Sequence, residues 1–132
     1  MAESQLLGQA LQSSLTVKDL NASVRWYTES LGFTISRRIE RDGKLRGVAI
    51  EAGNVRLILN QDDGAKGWDR VKGQGLSLQI STSQDVDPIA ARIKSHGGVL
   101  DTEPKDMPWG ARAFRVRDPD GFLWVLSKPL ST

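Results

Sequence analysis

The chain has 132 residues, 39% of them hydrophobic and 26% charged, with a net charge of +2. That is enough for one domain or two small fused modules with an ordinary core, and the scattered basic residues give no nucleic-acid footprint. No apolar run nears the roughly 20 residues that span a bilayer, so no membrane partner is expected. The chain has no cysteine, which excludes disulfides, thiolate metal sites and cysteine nucleophiles, and it has one histidine. The start, Met1-Ala2-Glu3-Ser4-Gln5, lacks the basic region of a secretory signal, and the cytoplasm is the expected location.

Residues 1–10 read as a polar tail or short packing arm. From Leu11 to Val17 the parity of Ser13, Leu15 and Val17 against Gln12, Ser14 and Thr16 predicts a strand with one apolar face. A helix follows, with Asn21 as a plausible N-cap and Val24, Tyr27 and Leu31 as its apolar stripe. Gly32 stops it in the manner of a glycine just past a helix end. Strands are predicted over Phe33–Arg37, Leu45–Glu51 and Val55–Asn60, with turns at Asp42-Gly43 and Gly53-Asn54. The order is β-α-β-β-β.

Residues 62–75 are polar and glycine-rich and read as a linker, though Trp68 is unusual for a plain spacer. The pattern then recurs. Leu76, Leu78 and Ile80 alternate with Ser77, Gln79 and Ser81. Asp87-Pro88 reads as an N-cap with proline at the first helical position. Ile89, Ala90 and Ile93 form the helix stripe, and Gly97 closes it. A strand from Val99-Leu100, a turn at Pro108-Trp109-Gly110 and a strand over Arg112–Arg117 follow. Asp118-Pro119-Asp120-Gly121 is a hairpin turn, since proline presets the first torsion and glycine supplies positive φ. The last strand runs from Phe122 to Leu126. Gly32 and Gly97, and Leu59 and Leu126, hold matching places in the two units, so the chain repeats one element order.

Catalytic motifs are sparse. There is no nucleophile elbow, phosphate loop or dinucleotide fingerprint. His96 sits at a helix end, where an imidazole favours the C-terminal carbonyls. Glu51 sits at a strand end before Gly53-Asn54, and a solvated carboxylate competes with a cleft-lining base there. Trp124 shares parity with Phe122 and Leu126 and is expected in the core. Trp26 adjoins the helix stripe, at the core edge or a dimer contact. Trp68 and Trp109 lie in loops, either as ligand platforms or packed beneath them.

Two such units, with Val17-Lys18-Asp19-Leu20 leading into Ser23-Val24-Arg25-Trp26-Tyr27 and Leu31-Gly32-Phe33, resemble the vicinal oxygen chelate superfamily of glyoxalases, bleomycin-resistance proteins and extradiol dioxygenases. In the second unit Val86-Asp87, Ala91-Arg92-Ile93, Gly97-Gly98 and Asp118-Pro119-Asp120-Gly121 carry the same resemblance. It implies one α+β domain over residues 1–132, with module 1 at about 11–62, a linker at 63–74 and module 2 at about 75–128. Two βαβββ modules are then expected to form a curved mixed sheet around a cavity, helices outside, usually in a homodimer.

Enzymes of that superfamily bind a divalent metal through side chains pointing into the cavity. The resemblance puts the four ligand positions on Gln12, Ile58, Gly75 and Val125. Three of these cannot coordinate, and one amide oxygen does not hold an ion that needs several donors. No metal and no cofactor are therefore expected. If Leu15, Val17, Leu57 and Leu59 face the helices, with Phe114 and Val116 in the second unit, the opposite parity faces the cavity. The expected ligand-binding residues are Gln12, Ser14, Arg56, Asn60, Gln79, Arg115 and Val125, with Trp68 and Trp109 from the loops. Arginine suits planar carboxylate or phosphate groups, unless it reaches solvent or a neighbouring carboxylate. The Pro108-Trp109-Gly110 segment looks similar to its counterpart in bleomycin-resistance binders. Those proteins hold a cationic drug on an acidic surface, whereas this chain is slightly basic and fits an anion better. The expectation is a metal-free binder of a small aromatic or anionic molecule. The alternatives are a metal-dependent lyase, isomerase or dioxygenase of the superfamily, and an interaction module with a filled cavity.

Overall fold

A computed structural model describes residues 4–131. Eight strands and two helices follow in the order β1 Ser13–Val17, α1 Leu20–Arg25, β2 Thr34–Arg41, β3 Lys44–Ala52, β4 Val55–Gln61, β5 Ser77–Ser81, α2 Val86–Ser95, β6 Leu100–Met107, β7 Ala111–Arg117 and β8 Leu123–Pro129. The repeat is therefore real, and the class is α+β. The strands form two separate four-stranded sheets, ordered β1-β4-β3-β2 and β5-β8-β7-β6. In each, the first strand pairs parallel to the last and the other neighbours are antiparallel. No helix among the described residues is long and apolar enough to cross a membrane.

Side-chain alternation sets which face of each sheet is covered. Leu15, Val17, Val48, Ile50, Leu57 and Leu59 in the first sheet, and Phe114, Val116, Trp124 and Leu126 in the second, are buried in one continuous core. The helices lie on this side of the sheets. At 6 and 10 residues they are shorter than the ~12–15 residues at which isolated helices become marginal in water. Packing of Leu20, Ala90 and Ile93 into the core, with Tyr27 just past the end of α1, therefore holds them. The opposite sheet faces are open.

Local details differ from the expected elements. The cap of α1 is Asp19, whose carboxylate accepts from Ala22 N at 3.1 Å, rather than Asn21, because Leu20 already begins the helix. The stripe of Tyr27 and Leu31 continues through a π-helical turn, Trp26–Ser30, closed by Leu31 N donating to Trp26 O at 3.3 Å. Gly32 then takes φ 87° and lets Phe33 N reach Tyr27 O. Helix α2 starts at Val86 with Asp85 as its cap, so Asp87 and Pro88 lie in its first turn. Proline is tolerated there because first-turn N–H groups have no partner within the helix. The Asp87 carboxylate is instead held by Arg112 at 2.8 Å. Strand β1 begins at Ser13, leaving Leu11 and Gln12 in an exposed segment, and β8 extends to Pro129. Residues 1–3 of the expected tail lie outside the described residues; Ser4 to Ala10 are exposed and without regular structure.

Buried polar groups join the modules. Tyr27 Oη donates to Asp118 Oδ2 at 2.5 Å and accepts from Trp124 Nε1 at 2.8 Å. Asp118 Oδ1 also accepts from the backbone N–H of Asp120 and Phe122. Burial, and then the charge of Asp118, push the Tyr27 hydroxyl well above the ordinary phenolic range. Burial also raises the Asp118 carboxyl, against the Tyr27 hydrogen bond. Asp120 accepts from Lys18 N at 2.8 Å and Ser23 Oγ at 3.3 Å, so the second module's turn caps the loop and helix of the first. Lys72, in the linker, reaches Asp62 at 3.0 Å and Asp120 at 3.4 Å with its side chain buried. The hairpin turn is thus also the joint between modules.

Asp62 is held at about 2, first by the Gly64 N–H and then by Lys72. Its folded value is below the ordinary 3.8, so it contributes stability above about pH 4 that is lost as pH falls toward 2. Asp118 acts with the opposite sign, since its raised carboxyl binds a proton more readily when folded. Thermal melts between pH 5 and pH 2 are expected to show a shallower acid decline in Asp62→Asn than in wild type. Parallel declines in both proteins would remove Asp62 from that role.

Candidate ligand site on the open face of the second sheet

On the open faces, ladder register places side chains in rows. In the second sheet one row runs Gln79, Val125, Arg115, Thr102 across four strands. The corresponding row of the first sheet is Ser14, Ile58, Ala49, Arg37. The second sheet carries a cavity of about 350 Å³ over its row. Val125 and Ala113 form an apolar floor. Gln79, Thr102 and Arg115 ring it with polar groups, and Lys105, Met107 and Trp109 complete the wall. Thr102 Oγ1 accepts from Arg115 N at 3.1 Å across a shift in the β6–β7 register. That shift keeps both Thr102 and Lys105 on the open face.

A larger groove of about 790 Å³ runs beside the linker, lined by Gly75, Ser77, Arg117 and Leu123 among others. Its cations are already committed: Arg117 to Asp101 at 3.1 Å, and Lys72 to Asp62 and Asp120. The smaller cavity keeps Lys105 and Arg115, neither of which is in an ion pair among the described residues.

Of the expected ligand-binding residues, Gln79, Trp109, Arg115 and Val125 meet in this one cavity. Ser14, Arg56 and Asn60 lie on the first sheet's open face, where Asn60 Nδ2 donates to Ser14 Oγ at 2.7 Å. Gln12 precedes β1 and is exposed. Trp68 is elsewhere, packed over Gly64 beside Lys18, Gln61 and Pro119, because the linker folds back on the α1 end of the molecule. Of the other tryptophans, Trp124 is buried and Trp26 stands edge-on to Tyr27 at 4.8 Å between ring centroids. His96 caps α2, its ring Nδ1 2.9 Å from Arg92 O. Thr102, Lys105 and Met107 were not legible as site residues, because Pro104 and the register shift break the alternation of β6.

The four positions that the resemblance assigns to metal ligands do not fit a divalent ion. Ile58 and Val125 offer only aliphatic carbon, Gly75 has no side chain, and Gln12 lies in the exposed segment before β1. The guanidinium of Arg115, on the next strand from Val125, adds like-charge repulsion. Among the described residues no three histidine, aspartate or glutamate side chains group closely enough to hold a metal.

A family model described as Glyoxalase/Bleomycin resistance protein/Dioxygenase superfamily matches residues 7–126. The chain is 28% identical over 116 residues to a "Putative lactoylglutathione lyase" of Brassica oleracea var. gemmifera, covering 83% of this chain but only 40% of that protein. It is 27% identical over 120 residues to a "Probable lactoylglutathione lyase" of Vibrio cholerae, covering 86% of this chain and 85% of that one. Among solved structures, TioX from Micromonospora sp. ML1 superposes with a TM-score of 0.73 at 25% identity, covering 93% of this chain and all of that one. With two βαβββ modules and a family match along most of its length, the chain belongs to the glyoxalase/bleomycin resistance protein/dioxygenase superfamily.

Proposed function

We propose that this chain binds a small aromatic or anionic molecule on the open face of its second sheet, without a metal. The observation that carries the proposal is the pair Val125 and Arg115. An aliphatic floor stands where the resemblance expects a ligand carboxylate, and beside it stands a guanidinium that is in no ion pair among the described residues. Such a surface favours an anion with apolar area and disfavours a cation.

The relatives named lactoylglutathione lyase bring the second reading, a metal-dependent lyase. Metal analysis of the purified protein, followed by titration with nickel, zinc and ferrous iron, separates the two. The expected result is no stoichiometric metal and no saturable uptake; tight binding of one ion per chain would overturn the proposal. A homodimer is part of the same reading, supported by the open sheet faces and by Leu6, Leu7 and Leu11, which are 94%, 82% and 92% exposed. Sedimentation is expected to give a dimer, and a monomer at all concentrations would remove that element.

A further inference from the structure

We propose that the ligand of this cavity is a planar aromatic carboxylate, its ring against Trp109 and Met107 and its carboxylate on Arg115 and Lys105. This rests on the reading of the second sheet's open face as a ligand site and names the class of molecule it takes.

Charge gives the first half. Among the described residues, Lys105 and Arg115 are the only charged side chains lining the cavity, and both carry the same sign. Lys105 pairs in register with Ala113, two residues along β7 from Arg115 and on the same face. Diagonal neighbours of this kind are ~7–8 Å apart at the backbone, within reach of long side chains directed at one group. Among the described residues neither is in an ion pair, because the carboxylates of β6, Asp101, Glu103 and Asp106, are held by Arg117, Lys94 and Arg112. A guanidinium presents a planar fork that matches both oxygens of a carboxylate, and an ammonium adds a point charge beside it. The Arg115 main chain is fixed from the neighbouring strand by Thr102 Oγ1, which lowers the ordering cost of binding.

The apolar surface gives the second half. Trp109 is 66% exposed, at the tip of the β6–β7 hairpin. The tip is pinned on both sides: Gly110 N donates to Met107 O at 3.1 Å, and Leu130 N donates to Gly110 O at 2.8 Å. A large indole held out on a pinned turn, with a thioether beside it, is a stacking surface for a flat ring. Beneath it the floor of Val125 and Ala113 has no polar side chain to satisfy. Gln79 and Thr102 remain at the rim for one further hydrogen bond to a ring substituent.

The test uses 2-naphthoate and its neutral isostere 2-naphthalenemethanol, titrated calorimetrically into the full chain and its variants. The expected result is saturable 1:1 binding of 2-naphthoate, with the alcohol ~10-fold or more weaker because it lacks the charge-assisted bonds. Arg115→Met is expected to weaken 2-naphthoate ~10-fold and leave the alcohol unchanged, whereas Trp109→Ala weakens both. Both side chains are exposed, and unchanged melting curves establish that the variants are folded. Equal affinity for acid and alcohol, or wild-type affinity in Arg115→Met, overturns the assignment of a carboxylate ligand. No binding of either probe, with the Trp109 indole shielded from acrylamide quenching in a dimer, overturns it in favour of a second copy covering this face. These outcomes are distinct from metal uptake, which would overturn the site reading itself.

Discussion

Trp124→Ala is expected to destabilise the protein by about 3–5 kcal/mol, the range for deleting a large buried aromatic. The indole is 3% exposed and stands edge-on to Tyr27 at 5.7 Å and to Phe33 at 6.4 Å between centroids. Its Nε1 donates to Tyr27 Oη, which in turn donates to Asp118. The substitution therefore opens a cavity and removes one donor from a buried network spanning both modules. Trp124→Phe keeps most of the ring and loses the N–H, so it is expected to cost less, on the order of 1–3 kcal/mol. Urea unfolding of the two variants checks the order. A loss under about 1 kcal/mol for Trp124→Ala would show that the modules do not depend on this contact.

Lys72→Met is expected to lower the melting temperature by roughly 10 °C, as the removal of one partner from a buried ionic cluster. The Lys72 side chain is 6% exposed, and its partners Asp62 and Asp120 are 3% and 5% exposed. Without the ammonium, Asp62 keeps only Arg70 at 3.4 Å, and Asp120 has no ion-pair partner left among the described residues. Exposed pairs behave differently: Lys94 with Glu103, or Lys128 with Asp85, contribute a few tenths of a kcal/mol to about 1. The triple variant Lys72→Met, Asp62→Asn, Asp120→Asn is expected to recover a large part of the loss, because the carboxylate charges that Lys72 neutralised go with it and Arg70, a third exposed, can turn to solvent. Differential scanning calorimetry measures both. If the triple variant melts below the single one, the cost lies in lost hydrogen bonds to Gly64, Lys18 and Ser23 rather than in charge.

The fold was largely legible because its signals are local. Parity in β1, β4 and β8 separated buried from open faces, and Gly32 and Gly97 punctuated both helices with positive φ. What escaped is non-local. Asp118 and Asp120 read as turn residues, and nothing in their own stretch says that Tyr27, Ser23 and Lys18, some 90–100 residues earlier, bind them. Lys72 read as one more polar linker residue, since its burial depends on two carboxylates from different modules. Trp68 and Trp109 look alike in sequence as loop aromatics, and only the path of each loop separates them. The candidate site was half legible for the same reason. Gln79, Arg115 and Val125 follow from strand parity, while Lys105 and Met107 depend on a register shift that parity does not reveal.

Val125 and Trp124 are adjacent on β8 and divide its work. Trp124 faces the core and ties the modules together, and Val125 faces outward as the floor of the cavity. We propose that this floor serves ligand binding without a metal. This is tested most directly by titrating 2-naphthoate into protein stripped with a chelator, and again after addition of nickel, zinc or ferrous iron. The expected result is the same dissociation constant in every case. Binding that appears only when a metal is restored would contradict it.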